Sequence, residues 1–153
     1  MEKSLIENVF ESEIKEIFQL KECDAGMYSP LVLAYIGDAV YELIIRTIIV
    51  NRGNCPVNQM HKKSSSLVKA PAQAEFITLL MEELTEEEQA IYKRGRNAKS
   101  ATSAKNATIQ DYRMATGFEA LIGYLYLKGN KERLVELVLH ALQKKGVLKI
   151  DEV

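Results

Sequence analysis

Cysteine is scarce in this sequence, and its placement excludes two classes of protein. It occurs only twice in 153 residues, as Cys23 and Cys55, and neither lies in a CxxC motif or in a Cys/His cluster. This placement argues against both a disulfide framework and a zinc site. We therefore expect reduced thiols and a cytoplasmic protein.

Proline is almost as rare, and its three positions predict where helices begin. Pro30, Pro56 and Pro71 each lie where a helix can begin. Proline is tolerated at the first position of a helix, because its missing N–H would have no partner there. The sequence therefore predicts a helix capped by Ser29 that runs from Pro30 through Val50, and further helices that begin at Pro56 and Pro71.

The second half of the chain continues in helical segments. The run Thr85-Glu86-Glu87-Glu88 matches a capping box, so a helix should start there and run out near Gly95. A loop is expected over 97–108, followed by a long helix to Lys128 and an amphipathic helix over 131–144. Because no strand-like alternation of useful length occurs, the prediction is an all-α fold in a single domain spanning 1–153.

Charge of one sign is not in excess. The chain has 20 Lys plus Arg against 21 Asp plus Glu, so a nucleic-acid site would have to come from local charge segregation. The first 18 residues carry acids throughout and lack the features of a secretory signal. The longest apolar stretch, Leu31 to Val50, is interrupted by Asp38, Glu42 and Arg46, so we reject a membrane span and expect no membrane partner.

Two acids stand alone in apolar helices. Asp38 is the one charge between Asp24 and Glu42, and Glu119 is the one charge between Arg113 and Lys128. Small residues flank both acids, so two helix backbones can approach closely and bring the carboxylates together. Converging carboxylates repel each other unless a hard cation lies between them, and Mg²⁺ with retained waters suits such an oxygen site. A metal held there can activate water against a phosphodiester.

A structural alternative remains open at this point. Either acid can instead be neutralised in a buried ion pair with Arg46 or Arg113, because structural pairs perturb acids as active sites do. Glu42, one turn after Asp38, is a candidate supporting acid that would orient a metal-bound water. A surface ion pair between Glu42 and Arg46, four residues apart, is an equally good interpretation.

Two acid-free stretches carry positive charge among small polar residues. They span 51–74 and 89–110, and such a composition favours phosphate and ribose contacts, although charge runs are often only solvated faces. Interleaved aromatic residues, which single-strand binders use for stacking, are scarce, since Tyr92 is the one aromatic residue in these stretches, so duplex RNA is the favoured ligand. The candidate RNA-binding residues are His61, Lys62, Lys63, Lys93, Arg94, Arg96, Asn97, Lys99, Ser100 and Lys105.

Four segments together resemble a known family. They are LAYIGDAVYE over 33–42, HKKSS over 61–65, KRGRNAKS over 93–100 and TGFEALIG over 116–123. The first and last resemble the catalytic helices of the ribonuclease III superfamily, and the middle two resemble its Mini-ribonuclease III branch. The likeness covers about 29–144, and several motifs in the same order make chance resemblance improbable.

The resemblance implies an all-α endonuclease fold that acts as a homodimer and cleaves double-stranded RNA with Mg²⁺, without an appended double-stranded-RNA-binding domain. Asp38 and Glu119 match the family's catalytic and metal-binding positions. The implied substrate is precursor 23S-type ribosomal RNA, processed with help from a large-subunit ribosomal protein. The apolar helix over 33–44 is the candidate dimer interface.

Two positions depart from the wider superfamily. Its pattern has Glu where this chain has Ala34, and Asp where this chain has Thr116. The departure puts the number of metals in question, and Thr116 or Glu42 are candidates to assume part of the missing function. It also keeps open a different class of protein, a non-catalytic RNA-binding or ribosome-assembly module. A di-metal redox bundle is discounted, since Glu-x-x-His pairs are lacking.

Overall fold

The computed structural model describes residues 9–99 and 108–148, and in these residues it contains helices and no strands. The predicted all-α class is thus confirmed. Two short 3-10 turns, Ala25–Met27 and Met81–Glu83, accompany the α-helices. The α-helices are α1 (Val9–Ile17), α2 (Pro30–Asn51), α3 (Val57–Val68), α4 (Ala70–Leu80), α5 (Glu86–Asn97), α6 (Ile109–Lys128) and α7 (Lys131–Lys145).

The predicted capping residues begin two of these helices. The Ser29 hydroxyl accepts a hydrogen bond from the Val32 amide at the start of α2. At the start of α5, the Thr85 hydroxyl accepts from the Glu88 amide, and the Glu88 carboxylate accepts from the Thr85 amide at 2.9 Å. Each bond satisfies an amide that has no partner inside its helix.

Three predicted boundaries differ from the structure. Pro56 is the cap residue before α3 and not its first residue, and α4 begins at Ala70, one residue before Pro71. Helix α5 does not end near Gly95 but continues to Asn97. Gly95 allows α5 to pack closely against α6 and does not end the helix. A Cβ at this position would lie 2.8 Å from the Cα of Gly117 on α6.

Helix α6 forms the centre of the fold. Most of its residues from Ala115 to Leu125 are buried, and α2, α4, α5 and α7 all pack against it. Helix α2 crosses α6 with the two backbones in contact, because glycine occupies both sides of the crossing. A Cβ on Gly37 would lie 2.7 Å from the amide nitrogen of Gly123, and a Cβ on Gly123 would overlap the Leu33 carbonyl.

Tyr41 ties the crossing to α3. Its ring packs edge-on against Phe118 of α6 with 5.2 Å between the ring centroids, and its hydroxyl donates to the Leu67 carbonyl at 2.7 Å. Because the side chain is buried, the pKa of Tyr41 is raised above its ordinary range. The site elements α2, α3 and α6 are thereby joined in one core. Among the described residues, no helix is both long and apolar enough to cross a membrane.

Candidate active site at the crossing of two helices

The structure brings Asp38 and Glu119 together at the crossing of α2 and α6. Gly37 lies against the Glu119 backbone, so the next residue of α2, Asp38, is placed beside the Glu119 side chain. Both carboxyls line one surface pocket, whose lining also includes Thr116. The close approach that the small residues predict is therefore present.

Burial of the two acids is unequal, which differs from the expectation that both lie in apolar surroundings. Asp38 is exposed, whereas Glu119 is partly buried. The difference arises because α2 buries one face only, formed by residues such as Leu33, Gly37, Tyr41 and Ile45, and Asp38 lies off that face. Asp38 thus forms the outer side of the pocket and Glu119 its inner side.

Electrostatics make Glu119 an unusual acid. Burial raises the pKa of Glu119 to about 9, together with the hydrogen bond that its protonated carboxyl donates to Asp38 and the negative charge of Asp38. The charge of Glu42 raises it further, and the Gln73 side chain opposes the shift. Without a cation in the pocket, Glu119 therefore keeps its proton at neutral pH, since two ionised carboxylates in this position would repel each other.

The alternative of simple ion pairing fails for both acids within the described residues. Arg46 binds Glu42, with 3.1 Å between Nη2 and Oε1, and the pair is solvent-accessible on α2. Neither Asp38 nor Glu119 forms a salt bridge with any described residue. Glu42 therefore forms the surface pair with Arg46 that one of the two interpretations gave, and its charge also acts on Glu119. The orienting of a metal-bound water by Glu42 stays a prediction.

Thr116 lines the pocket one turn before Glu119. Its hydroxyl donates to the Tyr112 carbonyl at 2.9 Å, which leaves the hydroxyl oxygen free to accept hydrogen bonds from solvent or ligand. A hydroxyl provides no negative charge, so Thr116 does not replace the carboxylate that the wider superfamily has at this position.

Gln73 is a site neighbour that the sequence reasoning missed. It lies on α4, is only 2 % exposed, and its side chain is within hydrogen-bonding reach of Glu119. One signal was present in the sequence: Gln73 occupies the buried face of α4 together with Phe76, Ile77 and Leu80. A glutamine at such a position is uncommon, because a buried amide needs partners.

The candidate RNA-binding residues fall into two groups. His61, Lys62 and Lys63 are exposed on α3, where His61 shares a small surface pocket with Arg46 of α2. The second group is at the end of α5: Lys93, Arg94, Asn97 and Lys99 are exposed, and Arg96 is half-buried. Ser100 and Lys105 lie outside the described residues.

The α5 group lies near the carboxylates. A Cβ on Gly95 would be 3.3 Å from the Thr116 carbonyl, which places the end of α5 one helical turn from Glu119. Arg96 is held there, because its guanidinium lies 5.7 Å from the centroid of the Tyr92 ring and its Nε donates to the Asn97 side chain at 3.1 Å. The basic end of α5 therefore packs against α6 one turn from Glu119, although none of its residues lines the pocket itself.

The donors at the pocket are oxygen atoms. Within the part of the chain that the structure describes, no three residues of His, Cys, Asp or Glu are grouped to hold a metal ion. Asp38 and Glu119 are thus a two-carboxylate set, and further ligands of a cation would have to be water or substrate. Such a set suits a hard divalent ion that keeps part of its hydration shell.

Comparisons with known proteins show which family this sequence and fold are similar to. A sequence profile of the Ribonuclease III domain matches residues 31–130, which include the whole crossing of α2 and α6. The chain is 60% identical over 117 residues to a Mini-ribonuclease 3 from Clostridium tetani, covering 75% of this chain and 77% of that protein. It is 51% identical over 125 residues to a Mini-ribonuclease 3 from Enterococcus faecalis, covering 80% and 95%.

A solved structure has the same fold. An X-ray crystal structure of a protein from Fusobacterium nucleatum superimposes with a TM-score of 0.71 at 33% sequence identity, covering 80% of this chain and 96% of that one.

Proposed function

This chain belongs to the ribonuclease III family of endoribonucleases, and we propose that it cleaves double-stranded RNA with Mg²⁺ at the pocket between α2 and α6. The observation that supports the proposal most strongly is the meeting of Asp38 and Glu119, each the one charge in an otherwise apolar helical stretch. A non-catalytic RNA-binding module, the alternative left open by the sequence, loses its support because the relatives are ribonucleases.

Asp38 and Glu119 are the residues that would hold the ion. Their carboxylates face each other without a described cationic partner, and this charge arrangement is one that a divalent cation stabilises. A magnesium ion at such a site supplies Lewis-acid assistance to the phosphate and to an attacking water. Thr116 and Glu42 are supporting residues: the Thr116 hydroxyl can accept a hydrogen bond in the pocket, and Glu42 adds negative charge near Glu119.

RNA would be held by the two basic groups. One group would contact RNA from the end of α5, and the other from the exposed side of α3. The first group is Lys93, Arg94, Arg96, Asn97 and Lys99, and the second is His61, Lys62 and Lys63. Ser100 and Lys105 belong to the same proposed surface by sequence. Lysine and arginine neutralise phosphates, while asparagine and serine can bond phosphate or 2′-hydroxyl groups. Such contacts recognise duplex shape and not base sequence.

A homodimer is part of the proposal. The segment 33–44 was expected to form the interface, but Leu33 and Tyr41 are buried within the protomer itself. The surface left for a partner is an apolar stripe on the outer side of α2, formed by Val32, Tyr35, Leu43 and Val50. Tyr35 is 81% exposed. A second copy related by a twofold axis would cover this stripe and present two active sites to antiparallel RNA strands.

We propose precursor 23S-type ribosomal RNA as the substrate in the cell, bound together with a large-subunit ribosomal protein, and a cytoplasmic catalytic domain that spans 1–153. These finer assignments follow from the Mini-ribonuclease III resemblance. The Mini-ribonuclease 3 names of similar proteins support the same branch of the family.

Incubation of the purified protein with a labelled duplex RNA tests the proposal. We expect cuts in the duplex with Mg²⁺ and no cuts when a chelator is added or when Asp38→Asn replaces the wild type. The same strand without its complement is the control and should stay whole. An intact duplex after incubation with wild-type protein and Mg²⁺ would overturn the proposed activity.

A further inference from the structure

Gln73 is a buried polar side chain with an uneven set of partners. Its Nε2 donates a hydrogen bond of 2.7 Å to the Val68 carbonyl at the end of α3. Its Oε1 is buried and has no hydrogen-bond partner among the described residues. Unsatisfied buried acceptors are rare in native proteins and cost stability, so a glutamine at this position needs a gain from its amide nitrogen to offset that cost.

The Val68 contact fixes the orientation of the amide. A backbone carbonyl only accepts hydrogen bonds, so the atom that faces it at this distance must be the nitrogen of the Gln73 side chain. An amide nitrogen carries two hydrogens. With one directed at Val68, the second remains for the other acceptor within reach, the Glu119 carboxyl.

Neither the position on α4 nor the Val68 bond alone accounts for a glutamine here. The neighbouring buried residues of α4 are apolar, and a methionine would fill a similar volume without leaving an unpaired oxygen. Unlike methionine, the glutamine amide can donate one hydrogen bond to Val68 at the end of α3 and another to Glu119 of α6.

We propose that Gln73 is a positioning residue that holds the Glu119 carboxylate in the orientation needed to share a divalent ion with Asp38. The proposal rests on the proposed function and extends it to α4. Gln73 is itself tied to α3 through Val68, and α3 is tied to α2 through the bond from Tyr41 to Leu67. The orientation of Glu119 is thus set by elements on both sides of the pocket.

The test measures Mn²⁺ affinity by electron paramagnetic resonance on the full chain, with Mn²⁺ standing in for Mg²⁺ because both prefer carboxylate and water ligands. Gln73→Met removes the donor at similar volume. Gln89→Met is the matched control: the Gln89 amide also reaches carbonyls at a helix end, those of Met81 and Leu84, but away from the pocket. Asp38→Asn identifies the binding that belongs to the pocket.

We expect Gln73→Met to weaken Mn²⁺ binding by about 10- to 100-fold, the usual effect of removing the partner of a metal ligand, with Gln89→Met within about twofold of wild type. Cleavage of duplex RNA by Gln73→Met should lose kcat while KM stays unchanged, because Gln73 is buried and makes no contact with RNA. If Gln73→Met does not fold, Gln73→Asn, which keeps an amide but shortens it, should show the same weaker binding.

Three results would overturn the inference. The first is wild-type Mn²⁺ affinity in a folded Gln73 variant, and the second is an equal loss in Gln73→Met and Gln89→Met. Either leaves the proposed nuclease activity untouched. The third is a Mn²⁺ affinity that is the same in Asp38→Asn as in the wild type. This result would overturn the metal site itself and with it the part assigned to Gln73.

Discussion

Gly37 of α2 contacts the backbone of Glu119 on α6, with so little space between them that a Cβ on the glycine would overlap the Glu119 carbonyl oxygen. Because Asp38 follows Gly37 directly, this contact sets the distance between the two carboxylates. The proposed catalytic arrangement thus depends on a packing residue that has no functional group.

Adding one methyl group at the crossing should therefore impair both stability and activity. We expect Gly37→Ala to lower the free energy of unfolding by about 3 kcal/mol, since backbone must move to admit the Cβ. Cleavage of duplex RNA should fall by about 100-fold under conditions where the variant is folded, because Asp38 and Glu119 are moved apart. Urea denaturation and cleavage assays measure the two effects.

Gly26→Ala provides the control for this change. A Cβ on Gly26 would meet only the Asp24 side chain, at an ordinary contact distance of 3.4 Å. Stability and cleavage should stay near wild type. An equal effect of the two substitutions would mean that the crossing is not the reason for the loss.

The raised pKa of Glu119 predicts how stability depends on pH in the presence of a chelator. The folded state retains the proton up to about pH 9, whereas the unfolded chain loses it near the ordinary value of 4.5. The contribution is fully present below pH 4.5 and is lost as the pH rises toward 9, at up to about 1.4 kcal/mol per pH unit.

Chemical denaturation at a series of pH values measures this slope. Glu119→Gln should abolish this component, because a neutral amide does not titrate, and should make the protein less sensitive to pH between 5 and 9. Glu82→Gln, which removes an exposed carboxyl, should leave the slope as in wild type. Identical slopes in wild type and Glu119→Gln would contradict the electrostatics described for the pocket.

The α5 basic group should account for much of the affinity for RNA. Neutralising Arg94, Arg96 and Lys99 together should raise the RNA concentration needed for cleavage and reduce the salt dependence of binding by roughly one unit of slope per lost phosphate contact. Binding measured over a range of salt concentrations tests this.

The control is a variant with the same loss of positive charge as the α5 triple variant. In this control, glutamine replaces Lys128, Lys144 and Lys145. These lysines pair with Glu87, Glu83 and Glu75 on surfaces formed by other elements. RNA binding should persist in this control. Loss of binding in both triple variants would show that total charge, and not the α5 group, determines affinity.

The apolar stripe on α2 predicts the oligomeric state. Tyr35→Glu and Leu43→Glu, introduced together, should convert the dimer to a monomer in sedimentation experiments, because two charges on each copy would be buried at the interface. Val135→Glu changes an apolar residue of α7 that is 54% exposed and should leave the dimer intact. A wild-type protein that sediments as a monomer at micromolar concentration contradicts the proposed dimer.

Much of the fold could be predicted from local signals. Ser29 and Thr85 cap helices through hydrogen bonds to nearby amides, so they mark helix starts without knowledge of the tertiary structure. The helix end predicted near Gly95 differs from the structure, because the local signal of a glycine is ambiguous. Glycine both ends helices and permits close packing, and only the position of α6 shows that packing is its use here.

The site was predictable to a similar degree. Asp38 and Glu119 are visible in the sequence because a lone charge in an apolar helix needs an explanation. Their unequal burial was not, since it depends on which face α2 turns toward α6. Gln73 is separated from both acids by tens of residues, and nothing in α4 alone indicates that its amide reaches Glu119.

The most direct test of the account is whether Asp38 and Glu119 act as one unit in cleavage. Single-turnover rates on duplex RNA with saturating Mg²⁺ should be measured for wild type, Asp38→Asn, Glu119→Gln and the double variant. We expect each single change to reduce the rate by on the order of 1,000-fold and the double change to reduce it no further, as for residues that serve one step together. Effects that multiply, or a Glu119→Gln variant with the wild-type rate, would contradict a shared site.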